Sequence, residues 1–325
     1  MRTSPPPHAL PSPSLAAPMR TLPLALLLGC GDISNAFLLE DAEFLDSLPS
    51  EARHTVLLEP VLLDPSADSG EADWLERAPR LLAVSHDVST GVNTPLLELL
   101  ATIDYVRTVL PSGRTPDGRR WGPYDWLGDV QIELQSNRTG QGRFDWSLDA
   151  LTPSTRLSYV TGTHYAGPSV AAGDGQFTWI FDELAALVGD PARGTLTVDY
   201  DNRVGIDLLV DIAGVTAGIE PPLTAQYAYQ LIAGEGDFQY QTSADLNDDG
   251  VAEDYAIRTR WNVGVGGRSD ATVTGGFLGT TVERWSQCWD GGVNLVYEAD
   301  DLGWFEASGE ESACEYPTFL VVDRI

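Results

Sequence analysis

From Asp129 onward the sequence alternates between apolar and polar residues, and this alternation constrains the fold more than any other feature of the chain. It is clear at Phe144, Trp146 and Leu148, which alternate with polar residues. Side chains of a β-strand point alternately to its two faces, so a period of two predicts strands with one apolar face. The same pattern recurs at residues 130–134, 157–159, 177–181, 196–200, 206–212, 227–231, 238–240 and 255–261.

Turn-forming residues separate these alternating segments. Examples are Asp174-Gly175, Asp201-Asn202 and Asp249-Gly250. Short connections join antiparallel neighbours, and about eleven or twelve strands twist until the sheet curls or closes on itself. The sequence therefore predicts a mainly β fold over residues 129–325, an antiparallel up-and-down meander that forms a curved sheet or a barrel.

The segment 30–128 has a different pattern, which predicts a helical and partly irregular region packed on the sheet. Phe37 to Leu48 have the spacing of a short amphipathic helix. The clearest helix follows, with Thr94 as its N-cap, Pro95 at its first position and its last turn at Leu110. Its apolar residues share one face, so we expect this helix to cover the apolar face of the sheet.

The loop predicted from Ser112 to Asp129 concentrates positive charge and aromatic rings. Its notable residues are Arg114, Arg119, Arg120, Trp121, Tyr124 and Trp126. Guanidinium forks and aromatic faces are one way to bind an anion or a sugar. We favour a simpler interpretation, in which these Arg residues neutralise the protein's own carboxylates.

Charge and composition exclude several classes of function. Arg supplies all 19 cationic residues, against 48 acidic ones, so the net charge is -29. A surface this negative repels nucleic acid, which we exclude as a partner. Without Lys the chain has no Walker-type phosphate loop and no Schiff-base chemistry, and it also lacks a nucleophile elbow and a metalloprotease helix. We therefore expect a protein that is not an enzyme.

An apolar run near the N-terminus, Leu22 to Leu28, follows Arg20 and ends at Gly29 and Cys30. The run is shorter than the 20 or so apolar residues that span a bilayer, and its order is that of a secretory signal starting at Met1 or Met19. Leu27-Leu28-Gly29-Cys30 resembles the lipobox of bacterial lipoproteins. The resemblance implies that residues 1–29 are a lipoprotein signal peptide and that Cys30 is lipidated. An ordinary cleaved signal with an incidental Cys is the alternative.

The resemblance to lipoproteins also implies a place and a partner. The implied localisation is the cell envelope, and we expect the protein at the outer membrane. The implied partner is the membrane itself, which the protein contacts through its lipid anchor. We predict a non-enzymatic binding or structural role, with the apolar face of the sheet holding an apolar ligand or a segment of an envelope protein. Two alternatives remain: a hydrolase of envelope polymers with acidic residues in a cleft, and an outer-membrane β-barrel, whose strands also alternate.

Export also bears on the cysteines that follow Cys30. These are Cys288 and Cys314. Two Cys residues in an exported body predict a disulfide, since they lack the paired His residues of a zinc site.

An acidic segment near residue 250 predicts a weak calcium site. Asp245, Asn247 and Asp249 alternate oxygen ligands, which resembles the front half of an EF-hand-type calcium loop. The twelfth position is Ala256 where that loop needs Glu, and Glu253 is the substitute ligand that we consider. The alternative is a plain hairpin turn with solvated carboxylates.

Overall fold

The computed structural model describes residues 35–56, 58, 78–189, 192–216, 222–245 and 250–325. Within these ranges the α-helices are α1 (Asn35–Asp46), α2 (Glu51–His54), α3 (Arg80–Arg107) and α4 (Phe181–Val188). The strands are β1 (Gly113–Thr115), β2 (Gly118–Leu127), β3 (Val130–Gly140), β4 (Arg143–Leu151), β5 (Arg156–Tyr165), β6 (Asp174–Ile180), β7 (Thr195–Asp201), β8 (Ile206–Val215), β9 (Leu223–Ile232), β10 (Glu235–Ala244), β11 (Glu253–Asn262), β12 (Gly266–Gly275), β13 (Gly279–Asp290), β14 (Leu295–Asp300) and β15 (Ser308–Gly309). Short 3-10 turns lie at Gly276–Leu278 and Glu311–Ala313.

All the described strands belong to one antiparallel sheet, and each strand pairs with the next strand in the sequence. The order runs from β1 to β15 without a crossover. In the described part of the chain β1 and β15 are the two edges, so the sheet is curved but open. The predicted mainly β meander is confirmed, and of its two predicted forms the curved sheet is the one observed.

The sheet begins earlier than predicted, because β1 and β2 occupy residues that the sequence analysis assigned to a loop. The loop interpretation of residues 112–129 is therefore wrong. Gly122 and Pro123 interrupt the alternation in β2, and the pairing with β3 shifts register between Trp121 and Tyr124. An extra residue in one strand hides a strand from a pattern with a strict period of two.

Helix α3 also begins earlier than predicted. It starts at Arg80, so Thr94 and Pro95 lie in its interior and do not form an N-cap and a first turn. Proline removes one backbone hydrogen bond inside a helix and crowds the carbonyl four residues earlier. That residue is Gly91, which is exposed, so its carbonyl remains open to water. The turns of α3 before Gly91 are held by tertiary packing, since Leu82 and Ser89 are both buried.

The hydrophobic core lies between the apolar face of the sheet and helices α1, α2 and α3. In α3, Leu96, Leu100 and Ile103 are fully buried. Near its start, Ser85 Oγ lies 2.7 Å from Thr259 Oγ1 on β11. The helix thus covers the apolar face, as the sequence predicts. No described helix is long and apolar enough to cross a membrane.

Candidate functional site

The opposite face of the sheet, which we call the outer face, carries rows of polar side chains in register. One row places Thr161 beside Thr178 and Thr178 beside Thr197 on three successive strands. The hydroxyl oxygens of Thr178 and Thr197 lie 3.1 Å apart. The row continues through Asp211 and Gln226. Because helices cover the apolar face in the described part of the chain, the outer face is the face that a ligand can reach.

The C-terminal segment, residues 314–325, runs across the outer face and is held there by side chains of the sheet. Gln239 Oε1 accepts hydrogen bonds from the backbone N–H of Asp323 at 2.9 Å and of Arg324 at 3.1 Å. Asp270 Oδ2 accepts one from the backbone N–H of Leu320 at 2.7 Å. The polar rows therefore bind an extended peptide through its main chain.

A disulfide fixes the start of this segment to the sheet. Cys314 is bonded to Cys288 on β13, with Cα atoms 5.7 Å apart. Both residues are buried. The predicted pairing of the two cysteines is thus present in the structure.

Between the C-terminal segment and strands β12 to β14 lies a cleft of about 550 Å³. Arg268 forms its floor and is only 1% exposed. The guanidinium donates to Asp270 at 2.6 Å and lies 2.8 Å from the Glu311 carboxylate, so its charge is already compensated. Arg284, whose side chain is 57% exposed, is the accessible cation of the cleft. Its guanidinium carbon lies 5.7 Å from the centre of the Phe319 ring.

Burial dominates the electrostatics of the cleft floor. It raises the pKa of Asp270, although Arg268 and Ser286 stabilise the ionised carboxylate and act in the opposite direction. Arg268 and the backbone N–H of Leu320 both donate to Oδ2 of Asp270, and the side chain is only 1% exposed, so burial shields this carboxylate from a substrate at the cleft. The alternation of apolar and polar residues gives no signal for such a pair, since Arg268 and Asp270 occupy ordinary outer-face positions on β12.

A second pair of acidic residues lies at the end of β13 and β14. Burial raises the pKa of Glu283, and the neighbouring charges of Asp300 and Asp301 raise it further. Burial also acts to raise the pKa of Asp300, but hydrogen bonds from backbone N–H groups, among them those of Phe305 and Trp304, lower it overall. Opposite pKa shifts in two neighbouring carboxyl groups are one feature of the acid–base pairs found in hydrolases. Asp300 lines the cleft, whereas Glu283 is 3% exposed.

A third acidic pair, Glu133 and Asp149, is directly paired across β3 and β4. Both are almost fully buried. Arg156 lies between them, 2.5 Å from Glu133 and 2.6 Å from Asp149, and Ser158 donates to Asp149 at 2.6 Å. A buried carboxylate pair that shares one guanidinium is an internal ion-pair network and is not open to a substrate.

The Arg residues singled out between 112 and 129 bind the protein's own carboxylates. Arg114 lies 2.8 Å and Arg119 lies 2.5 Å from Asp41 on α1. Arg119 also lies 3.0 Å from Glu40. The interpretation that these residues neutralise internal acids is confirmed for this pair of Arg residues, which attach α1 to the edge of the sheet.

The proposed calcium tip falls partly beyond the described ranges, since Asn247 and Asp249 are among the residues outside them. Asp245 Oδ2 accepts a hydrogen bond from the backbone N–H of Gly250 at 2.6 Å, which fits a turn. Glu253 is fully buried, and one of its oxygens lies 2.0 Å from where a Cβ on Gly276 would lie. Its carboxylate therefore packs against the turn after β12. Among the described residues no three His, Cys, Asp or Glu side chains are grouped as metal ligands.

The lipidation site Cys30 also lies outside the described residues, and it remains a prediction from the sequence. The described chain begins at Asn35, the first residue of α1. Comparisons with protein-family models, with curated proteins and with solved structures find no significant match to this chain.

Proposed function

We propose that this protein is an exported, lipid-anchored protein of the cell envelope with a non-enzymatic binding or structural role. The observation that carries the proposal is the disulfide between Cys288 and Cys314. Disulfides persist in oxidising compartments outside the cytosol, so this bond supports export independently of the lipobox at Cys30.

The test of the anchor is the Cys30→Ser variant, compared with the wild type after cell fractionation and a high-salt wash. The wild type should remain in the membrane fraction, because burying acyl chains contributes about 0.8 kcal/mol per methylene. The variant should appear in the soluble fraction. A variant that stays with the membrane after the wash would rule out the anchor.

The binding role is supported by the outer face and its cleft. Helices α1 to α3 cover the apolar face of the sheet in the described part of the chain, so an apolar ligand there would have to displace them. The cleft beside the C-terminal segment offers the exposed Arg284 and the ring of Phe319. Native mass spectrometry of the protein extracted from its own membrane tests this role, and a bound small molecule lost in Arg284→Ala would place it in the cleft.

One observation favours a second function, a hydrolase of envelope polymers. It is the adjacent pair Glu283 and Asp300, in which the pKa of Glu283 is raised and the pKa of Asp300 is lowered. In this alternative Glu283 is the general acid, and Asp300 is the ionised carboxylate that acts as general base or nucleophile. The wild type would release soluble fragments from purified envelope polysaccharide, and Glu283→Gln would abolish the release. No release by the wild type would remove the alternative.

A further inference from the structure

The two ends of the sheet differ in charge. In a meander, successive connections lie at alternate ends. The connections that follow the odd-numbered strands, β1 to β13, form the end that we call the turn end, and those that follow the even-numbered strands form the loop end. The turn-end connections contain one acidic residue, Asp117, and one basic residue, Arg203.

The loop end is strongly acidic. Its connections contain a single basic residue, Arg193. In the part of the chain that the structure describes, the acidic residues of these connections are Asp129, Asp182, Glu183, Asp245, Asp301 and Glu306. The excess negative charge of the connections is thus confined to one end of the sheet.

Carboxylates at the strand termini of the turn end have local partners. Asp201 accepts a hydrogen bond from the guanidinium of Arg203 at 2.9 Å. Glu235 pairs with Arg260. Asp290 Oδ1 accepts hydrogen bonds from two backbone N–H groups of its own turn, at 2.9 and 3.0 Å. The turn end still carries the exposed Asp117 and, after β15, the exposed Glu310 and Glu315, but its connections are less acidic than those of the loop end.

Helix α1 is attached at the turn end. Asp41 pairs with Arg114 and Arg119, which stand beside the turn between β1 and β2. Phe44 packs against Phe144, the second residue after the turn between β3 and β4, with ring centres 5.5 Å apart. The described chain thus begins near this end.

The length of chain between Cys30 and Asn35 limits where a lipid anchor can lie. Five peptide units reach at most about 18 Å. A ten-residue strand such as β2 is about 33 Å long. A lipid on Cys30 can lie in a membrane beside the turn end, but the tether is too short to place the loop end on the same membrane.

We propose that the turn end contacts the membrane surface. In this orientation the turn end of the folded chain lies on the lipid headgroups, and the acidic loop end is directed away from the membrane. The inference rests on the proposed lipid anchor. A negative lipid surface repels the more acidic loop end more strongly than the turn end. Val204, 83% exposed, and Val265, 49% exposed, are the apolar side chains that would touch the headgroup region.

Exposed aromatic residues alone would favour the opposite orientation. Trp126, Phe277 and Trp304 are 45%, 56% and 56% exposed and belong to the loop end. Trp side chains are enriched at membrane interfaces. The tether length and the acidic connections oppose that orientation, so contact of the loop end with lipid is the outcome that would contradict the proposal.

The experiment uses the full lipidated protein in vesicles of zwitterionic phosphatidylcholine that contain a lipid with a nitroxide on its headgroup. Two matched variants, Val204→Cys at the turn end and Val251→Cys at the loop end, each carry one fluorophore. Both positions are exposed valines. Cys288 and Cys314 are bonded to each other, so the label goes to the introduced thiol. Leu302→Cys, also exposed, provides a second probe of the loop end.

We expect quenching at position 204 to be several-fold greater than at positions 251 and 302. Equal or greater quenching at either loop-end position would overturn the orientation, as would no quenching at position 204 in protein that floats with the vesicles. The latter result would point to a protein partner on the turn end. Flotation itself tests the anchor: wild-type protein that does not float would overturn both the anchor and this inference. The labelled Cys30→Ser variant should neither float nor be quenched.

Discussion

Trp146 lies directly over Gly162, its paired neighbour on the next strand, so closely that a Cβ on Gly162 would stand 2.4 Å from the indole ring. The same relationship recurs between Trp261 and Gly236 and between Trp289 and Gly267. In each pair the ring fills the space that the glycine leaves on the apolar face. These pairs fix the register of the strands, because a slip of one residue would place the ring against a side chain.

The Gly162→Ala variant should therefore be destabilised. The new methyl group overlaps the buried Trp146 ring, and such overpacking costs about 1–3 kcal/mol. Urea unfolding followed by fluorescence measures the change in unfolding free energy. Gly91→Ala is the matched control, since nothing lies within 4 Å of its added Cβ. That exposed helical position should be neutral or slightly stabilised. An unchanged stability of Gly162→Ala would contradict the packing described.

These Trp–Gly pairs also indicate how far the sequence predicts the fold. The alternation around Trp146 predicts its strand and its face, because burial of one face follows from a period of two. It does not predict that Gly162 lies opposite Trp146, because the register of two strands depends on the length of the turn between them and on how their side chains fit together. The sequence patterns fail at two places. At Gly122-Pro123 a register shift hides β2 from the alternation, and at Pro95 the packing of the earlier helical turns outweighs a local helix-breaking signal.

The candidate site is predicted less completely than the fold. Cys288 and Cys314 are paired as predicted, because only two cysteines follow Cys30 in the sequence and they leave one choice of pairing. The contact between Gln239 and Asp323 joins residues from distant parts of the chain, and no local pattern indicates it. The same holds for Glu283 and Asp300, whose pKa shifts arise from burial and neighbouring charge.

Loss of the disulfide should destabilise the protein. The bond closes a segment of 26 positions, which corresponds to about 3–4 kcal/mol on the chain-entropy account. The double variant Cys288→Ala/Cys314→Ala should lower the midpoint of thermal unfolding relative to the wild type. In intact-mass analysis, both wild-type thiols should be alkylated only after reduction. Free thiols in protein taken from the envelope would refute the pairing.

Stability should fall in acid because of His54. Burial lowers the pKa of His54 to about 3, and the charge of Arg53 acts in the same direction. The folded state therefore disfavours the protonated ring, so this contribution is complete above pH 6.5 and declines as the pH falls towards 3. The loss is on the order of 5 kcal/mol for a shift of this size.

Unfolding free energies measured between pH 7.5 and about 4 test this dependence. His54→Gln should be less stable than the wild type at neutral pH and should show a flatter decline. Equal slopes for His54→Gln and the wild type would show that another group causes the acid sensitivity.

Calcium should stabilise the protein if the tip that includes Asp245, Asn247 and Asp249 binds it. A ligand that binds only the folded state adds about 2.7 kcal/mol at a hundredfold excess over its dissociation constant. The measurement is thermal unfolding in millimolar calcium, against magnesium and against sodium of equal ionic strength. A calcium-specific increase should disappear in Asp245→Ala and Asp249→Ala. Equal increases in all three salts would identify the tip as a solvated hairpin turn.

The central claim, lipid attachment at Cys30, is tested most directly by mass spectrometry of the N-terminal peptide of protein purified from its own membrane. The account predicts a peptide that begins at Cys30 and carries the mass of an acylated glyceryl group on that residue. A peptide that begins at Cys30 with a free thiol, or one that extends into the residues before it, would contradict the account.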